Sequence, residues 1–161
     1  LINTIKALGA FDQETVFFDL YGGVGLFGLS FVNSVKKVIL MEENLTAIEL
    51  AKYNVHYHQL SNFEIFSGRV EDFLETELTK YKDNKKVAMI DPPRAGLSEQ
   101  SLNLLKQTKS FDSILYLSCH PESLMRDLKG FIQEGWHVEK VIPFDFFPRT
   151  NHLETFVWLK P

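Results

Sequence analysis

Ser118-Cys119-His120-Pro121 places the chain's one cysteine directly after the apolar run Ile114 to Leu117. An apolar run that gives way to a polar, proline-bearing turn reads as a buried strand ending in a loop. In α/β folds the carboxyl ends of parallel strands open onto the ligand crevice, so a thiol there is a candidate nucleophile. A free cysteine more often packs as a small hydrophobe, and only its neighbours decide between the two. Asp91-Pro92-Pro93-Arg94 follows a second apolar run, Val87 to Ile90. Two prolines stiffen that turn and fix how Asp91 and Arg94 project. A carboxylate so held can accept a hydrogen bond from a cofactor or a base.

A third group is the loop Asp19-Leu20-Tyr21-Gly22-Gly23-Val24-Gly25-Leu26-Phe27-Gly28. Gly23, Gly25 and Gly28 satisfy G-x-G-x-x-G, the pattern that lets backbone approach a dinucleotide. Glu42, at the end of the next apolar run, is placed to hold ribose hydroxyls. S-adenosylmethionine carries the same adenosine diol, so the loop serves either ligand. Asp19 at the strand end is more typical of methyltransferases than of dehydrogenases. No Cys/His cluster has metal-ligand spacing, and no metal is expected.

These residues need strands to carry them. Thr15 to Leu20, Val38 to Met41, Phe63 to Phe66, Val87 to Ile90, Ile114 to Leu117, Val138 to Phe144 and Thr155 to Leu159 are the strand candidates. Helical spacing fills Leu26 to Ser34, Leu45 to Leu60, Val70 to Lys80, Ser101 to Lys109 and Glu122 to Glu134. The face of the second of these is Leu45, Ile48, Ala51 and Val55. Strands alternating with helices predict an α/β fold around a seven-stranded, mostly parallel sheet. The last two strands follow one another with no helix between them, so one of them is expected to be antiparallel. With 161 residues, 45% of them hydrophobic, the chain suits a single domain. Net charge is −4, and Lys36-Lys37 and Lys85-Lys86 are the most basic stretches, which argues against a nucleic-acid surface on this segment alone. One cysteine and no long apolar run predict a cytoplasmic protein that does not enter a membrane.

Together with Asp91-Pro92-Pro93-Arg94-Ala95-Gly96 and Phe147-Pro148-Arg149-Thr150-Asn151-His152-Leu153-Glu154, the glycine loop and the cysteine motif resemble the RNA uracil-5-methyltransferases. The resemblance runs from about Thr15 to Leu159. It implies a Rossmann-like methyltransferase fold that uses S-adenosylmethionine to make 5-methyluridine in tRNA or rRNA. By position, Cys119 becomes the nucleophile and Glu154 the base. Tyr21, Gly23, Gly25, Glu42, Arg69 and Asp91 fall where the family holds the cofactor, and Arg94 and His152 where it holds the uridine. The chain departs from the family pattern at His120, usually asparagine, at Asn151, commonly glycine, and at Gly22, frequently cysteine. Arg69 stands where an acidic or amide side chain usually meets adenine. Residues 1–161 are read as the catalytic domain of a longer protein, a monomer, with structured RNA bound mainly through a missing N-terminal part. Two other readings are a catalytically inactive S-adenosylmethionine-fold binding module and an NAD-dependent dehydrogenase; the latter leaves Cys119, His152 and Glu154 without roles.

Overall fold

A computed structural model describes residues 1–150 and 153–161. The runs of β-branched and aromatic residues become strands β1 (Thr15–Leu20), β2 (Lys37–Glu42), β3 (Phe63–Ser67), β4 (Lys85–Ile90), β5 (Ser113–Ser118), β6 (His137–Phe144) and β7 (Glu154–Lys160). β1 and β5 are buried along their whole length, as strands covered on both faces must be. The helices are α1 (Ile2–Ala7), α2 (Leu26–Phe31), α3 (Leu45–Tyr57), α4 (Val70–Lys80), α5 (Glu99–Gln107) and α6 (Pro121–Gln133). A 3-10 turn, Val32–Ser34, completes the segment read from sequence as one helix with α2.

Among the described residues the strands form one sheet in the order β3-β2-β1-β4-β5-β7-β6. β7 runs antiparallel to both β5 and β6, so it is the one reversed strand that the missing helix predicted. Strand order reverses at β1, which pairs in parallel with both β2 and β4. The crevice of a doubly wound sheet opens at such a point, beyond the carboxyl ends of the strands.

Alternation along the strands builds a core on each face. Phe18, Leu20, Ile90, Tyr116 and Val157 pack with Leu74 of α4, Leu105 of α5, and Leu124 and Phe131 of α6. Phe17, Leu40, Met89, Leu117 and Phe156 pack on the other side with Ile5 of α1, Phe27 and Phe31 of α2, and Ala51 of α3. The expected face of α3 is present in Ile48, Ala51 and half-buried Val55, but Leu45 is 69% exposed. It is the first helical residue, and α3 starts at the crevice edge, where the first turn overhangs the sheet. Asn44 caps that turn, accepting from the Ala47 N–H at 3.1 Å.

Candidate active site

The period of two that builds the core also places the candidate residues. Asp19, Glu42, Asp91, Cys119 and Glu154 each lie two residues beyond, or before in β7, a strand residue of the α1/α2 face: Phe17, Leu40, Met89, Leu117 and Phe156. Within the strands this puts Asp19, Glu42 and Glu154 on the α1/α2 face, and Asp91 and Cys119 are the first residues past β4 and β5 at the same crevice edge. The β5–β7 ladder ends at Leu117–Phe156 and Ser118–Thr155. Cys119 and Glu154 are the next two positions off its end, and directly opposed residues of an antiparallel pair carry Cβ atoms about 5 Å apart. Reversal of β7 is what brings Glu154, at its start, to the edge where the parallel strands finish.

Two hollows flank the turn 91–98. On the α1/α2 side is a cavity of about 550 Å³ whose lining includes Asp91, Leu117, Phe146, Phe147, Leu26 and Glu154. Two carboxylates here face largely apolar walls. Desolvation and the charge of Glu154 push Asp91 up to about 6. Desolvation likewise raises Glu154, and the Arg94 guanidinium opposes that rise. Cys119 is half-buried and is not among the residues that line this cavity. His120 follows it as the N-cap of α6, its Nδ1 accepting from the Ser123 N–H at 3.4 Å. Histidine thus keeps the capping role open to asparagine, provided Nδ1 carries no proton.

The second hollow, about 330 Å³, lies between Tyr21, Glu42, Gly68–Glu71 and the segment Pro93–Ser98. Its volume falls in the range of small-molecule sites, about 300–1,000 Å³. Gly23, at φ 54°, has open space where a Cβ would be, so its backbone can approach a ligand. Glu42 accepts from the Gly23 N–H at 2.9 Å and from the Asn44 N–H at 2.7 Å. A carboxylate has about four acceptor positions, so a ribose diol can still donate to it. Beneath the loop, Asp19 is fully buried and accepts from the Gly28 N–H at 2.8 Å, while its Oδ1 has no partner. Burial, reinforced by Asp91 and Glu42, pushes Asp19 up to about 8 despite that bond, so it holds a proton at neutral pH. These groups fit an adenosine-bearing ligand: a diol acceptor, apolar walls from Val70 and Leu97, and a bare glycine backbone.

Arg69 lines this cleft, but its guanidinium turns to Glu71, 3.0 Å away. Arginine has no acceptor for an adenine amino group, so position 69 cannot supply the contact that an acidic residue makes. Glu71 accepts from Arg69 and Ser98 on the same oxygen, Oε1. Burial raises its pKa, yet hydrogen bonds from Ser98, Ser101 and Arg69 outweigh that and hold it near 2. Tyr21, in the left-handed region at φ 59°, donates from its hydroxyl to Ser101 Oγ at 2.8 Å, and Ser98 donates to Glu71 at 2.6 Å. Desolvation lifts the Tyr21 phenol to about 12, so it stays a donor. This brace across the cleft was not read from sequence. Helical spacing in the sequence begins this helix at Ser101, and nothing in the sequence ties α5 to Glu71. His152 and Asn151 lie outside the described residues. Among the described residues no group of three His, Cys, Asp or Glu side chains could hold a metal ion, and no helix is long and apolar enough to cross a membrane.

Comparison with known proteins points the same way. A family model described as tRNA (Uracil-5-)-methyltransferase matches residues 5–161. An uncharacterized RNA methyltransferase of Thermotoga maritima is 33% identical over 99% of this chain and 35% of its own length. The human tRNA (uracil-5-)-methyltransferase homolog A is 32% identical over 98% of this chain and 26% of its own. The chain thus spans about a third or less of these curated relatives. Among solved structures, the Pyrococcus abyssi tRNA (uracil-54, C5)-methyltransferase in complex with S-adenosyl-L-homocysteine superposes with a TM-score of 0.73 at 27% identity, covering 98% of this chain and 37% of that one. A dehydrogenase does not fit: the NAD-binding order 3-2-1-4-5-6 has no reversed strand between the fifth and sixth. The chain belongs to the tRNA (uracil-5-)-methyltransferase family.

Proposed function

We propose that this chain is the catalytic domain of an S-adenosylmethionine-dependent enzyme that methylates carbon 5 of a uridine in tRNA or rRNA. The observation that carries it is the end of the β5–β7 ladder, off which Cys119 and Glu154 are the next opposed positions, with Glu154 sharing a cavity with Asp91. Carbon 5 of uracil is a weak nucleophile. Addition of the Cys119 thiolate to carbon 6 moves the electron pair of the 5,6 double bond onto carbon 5 and the adjoining carbonyl. S-adenosylmethionine in the 330 Å³ cleft supplies an electrophilic methyl group to that carbon and departs as S-adenosylhomocysteine. Glu154 then takes the proton from carbon 5. The electrons of that C–H bond restore the double bond and expel the thiolate from carbon 6. Apolar walls beside Glu154 raise its affinity for the proton it must accept, and Arg94 opposes that rise.

A uridine in structured RNA must leave its stack to enter the 550 Å³ cavity, and Phe146 and Phe147, both about half exposed at its mouth, offer faces for it. His152 belongs to the same proposal by its place in the motif. The enzyme acts as a monomer in the cytoplasm, with RNA held mainly by segments outside these residues.

The test is mass spectrometry of the full-length protein incubated with S-adenosylmethionine and RNA containing 5-fluorouridine. Fluorine cannot leave as a proton, so a methylated covalent adduct on Cys119 accumulates, and Cys119→Ala abolishes it. Binding of S-adenosylhomocysteine without any adduct on tRNA or rRNA would favour the inactive binding module instead.

A further inference from the structure

α6 is an amphipathic helix whose inward face reads Leu124, Leu128 and Phe131, yet Asp127, in the middle of that face, is fully buried. A buried carboxylate has to be compensated, and its partners show what it is for. It accepts from the Tyr116 hydroxyl at 2.7 Å, from the Leu97 N–H at 2.9 Å, and from Arg126 at 2.9 and 2.7 Å. Arg126 also donates to the carbonyls of Ala95 and Leu97, both at 3.0 Å. One helical turn earlier, Ser123 donates to the carbonyl of Arg94 at 3.0 Å. Gly96 completes the contact. At φ 76° it lies so close that a Cβ would come within 2.7 Å of Arg126 and Asp127.

The main chain of 94–97 is therefore clamped onto one helix, and that helix begins two residues after Cys119. The same turn presents Asp91 to the 550 Å³ cavity and lines the 330 Å³ cleft with Pro93 to Ser98, where Arg126 also reaches. We infer that Arg126, Asp127 and Ser123 are positioning residues: they fix the thiol of Cys119 relative to the turn that separates the two hollows. Tyr116 anchors the clamp to the middle of β5, the strand that delivers the cysteine. No other described contact joins α6 to that turn so directly. A lysine at 126 cannot reproduce the planar fork that meets a carboxylate and two carbonyls at once. Asp127 would keep Tyr116 and Leu97 as partners, so the core survives that change.

The role of the clamp in methyl transfer rests on the proposed function, but the clamp itself can be read through the thiol. Cys119 is the only cysteine within residues 1–161, and its alkylation by iodoacetamide is followed by mass spectrometry on the peptide that carries it. In full-length Arg126→Lys, with folding verified by the melting curve, alkylation of Cys119 should accelerate at least about threefold because the turn no longer holds its place over the helix start. Ser123→Ala should shift it in the same direction by less. Turnover of RNA should move the opposite way, with kcat down about tenfold or more in Arg126→Lys; in Ser123→Ala, whose side chain does not line the 330 Å³ cleft, kcat should fall while KM for S-adenosylmethionine changes far less. A merely structural role would move neither rate below the melting temperature. Alkylation within twofold of the wild type in both folded variants overturns the inference. If the wild type makes no 5-methyluridine, the functional reading fails, and the alkylation rates still decide whether the clamp positions the thiol.

Discussion

Asp91 and Glu154 share a cavity, and their protonation sets the pH range in which the site can work. Glu154 acts as a base only when ionised. Desolvation raises it and Arg94 opposes the rise. Removing that cation, as in Arg94→Met, moves Glu154 further up, so the ionised fraction is lost at a higher pH. The acid limb of the pH–rate profile for methyl transfer is expected to shift to higher pH, with a deficit of several-fold near pH 6 that narrows above pH 8. Asp91, already pushed up to about 6 by desolvation and Glu154, titrates in the same interval, so the limb belongs to the pair rather than to one residue. An acid limb unchanged in Arg94→Met would show that the guanidinium does not act on the base. Sequence singled out Asp91 and Cys119 because each follows an apolar run, whereas Glu154 came only from the resemblance to the family. Sequence could not reveal that they meet at one edge, which depends on register across three strands.

At the scale of elements, the strand-to-helix turn after β1 shows how sequence and packing answer each other. Gly22 is fitted to its surroundings rather than to an unusual backbone. A Cβ there would meet Leu40 Cγ at 2.7 Å and Asp19 Cγ at 3.0 Å. Leu40 is fully buried in β2 and cannot swing away. Gly22→Ala should therefore overpack the core and cost about 1–3 kcal/mol. Placed on Leu40→Ala, which alone leaves a cavity, the same substitution should be tolerated or stabilising. A double-mutant cycle by denaturant unfolding is expected to give a favourable coupling of about 0.5–3 kcal/mol; additivity would mean the turn relaxes away from β2. The central strands were legible as continuous apolar runs because they are buried on both faces, and α4 from the helical spacing of Phe73, Leu74 and Leu78. α6 was legible as a helix over Glu122 to Glu134, while the purpose of Asp127 in its buried face depended on a turn 30 residues away. The start of α3 misled, because Leu45 fits the helical spacing but overhangs the sheet edge.

At the scale of the molecule, the reversed β7 distinguishes this sheet from a dinucleotide-binding one, and it makes the choice of cofactor testable by stability. Only a ligand that binds the folded chain shifts unfolding, and at a hundredfold excess over Kd the shift is about 2.7 kcal/mol. For a domain of this size each kcal/mol moves the melting temperature by about 2–4 °C. S-adenosylhomocysteine is accordingly expected to raise Tm by about 5–11 °C, and NAD at equal concentration to leave it unchanged. The cleft predicts which part of the ligand matters. Glu42 is the carboxylate placed for the ribose diol, and its oxygens also tie Gly23 and Asn44 to β2. A 2′-deoxy analogue of S-adenosylhomocysteine should therefore lose most of the shift, since one of the two hydroxyl donors to Glu42 is gone. An analogue altered at the adenine amino group should lose less than is usual for an acidic residue at position 69, because Arg69 is turned to Glu71 and offers no acceptor. Equal shifts from the 2′-deoxy and native ligands would place the diol away from Glu42 and reverse the orientation assigned to the adenosine in the cleft.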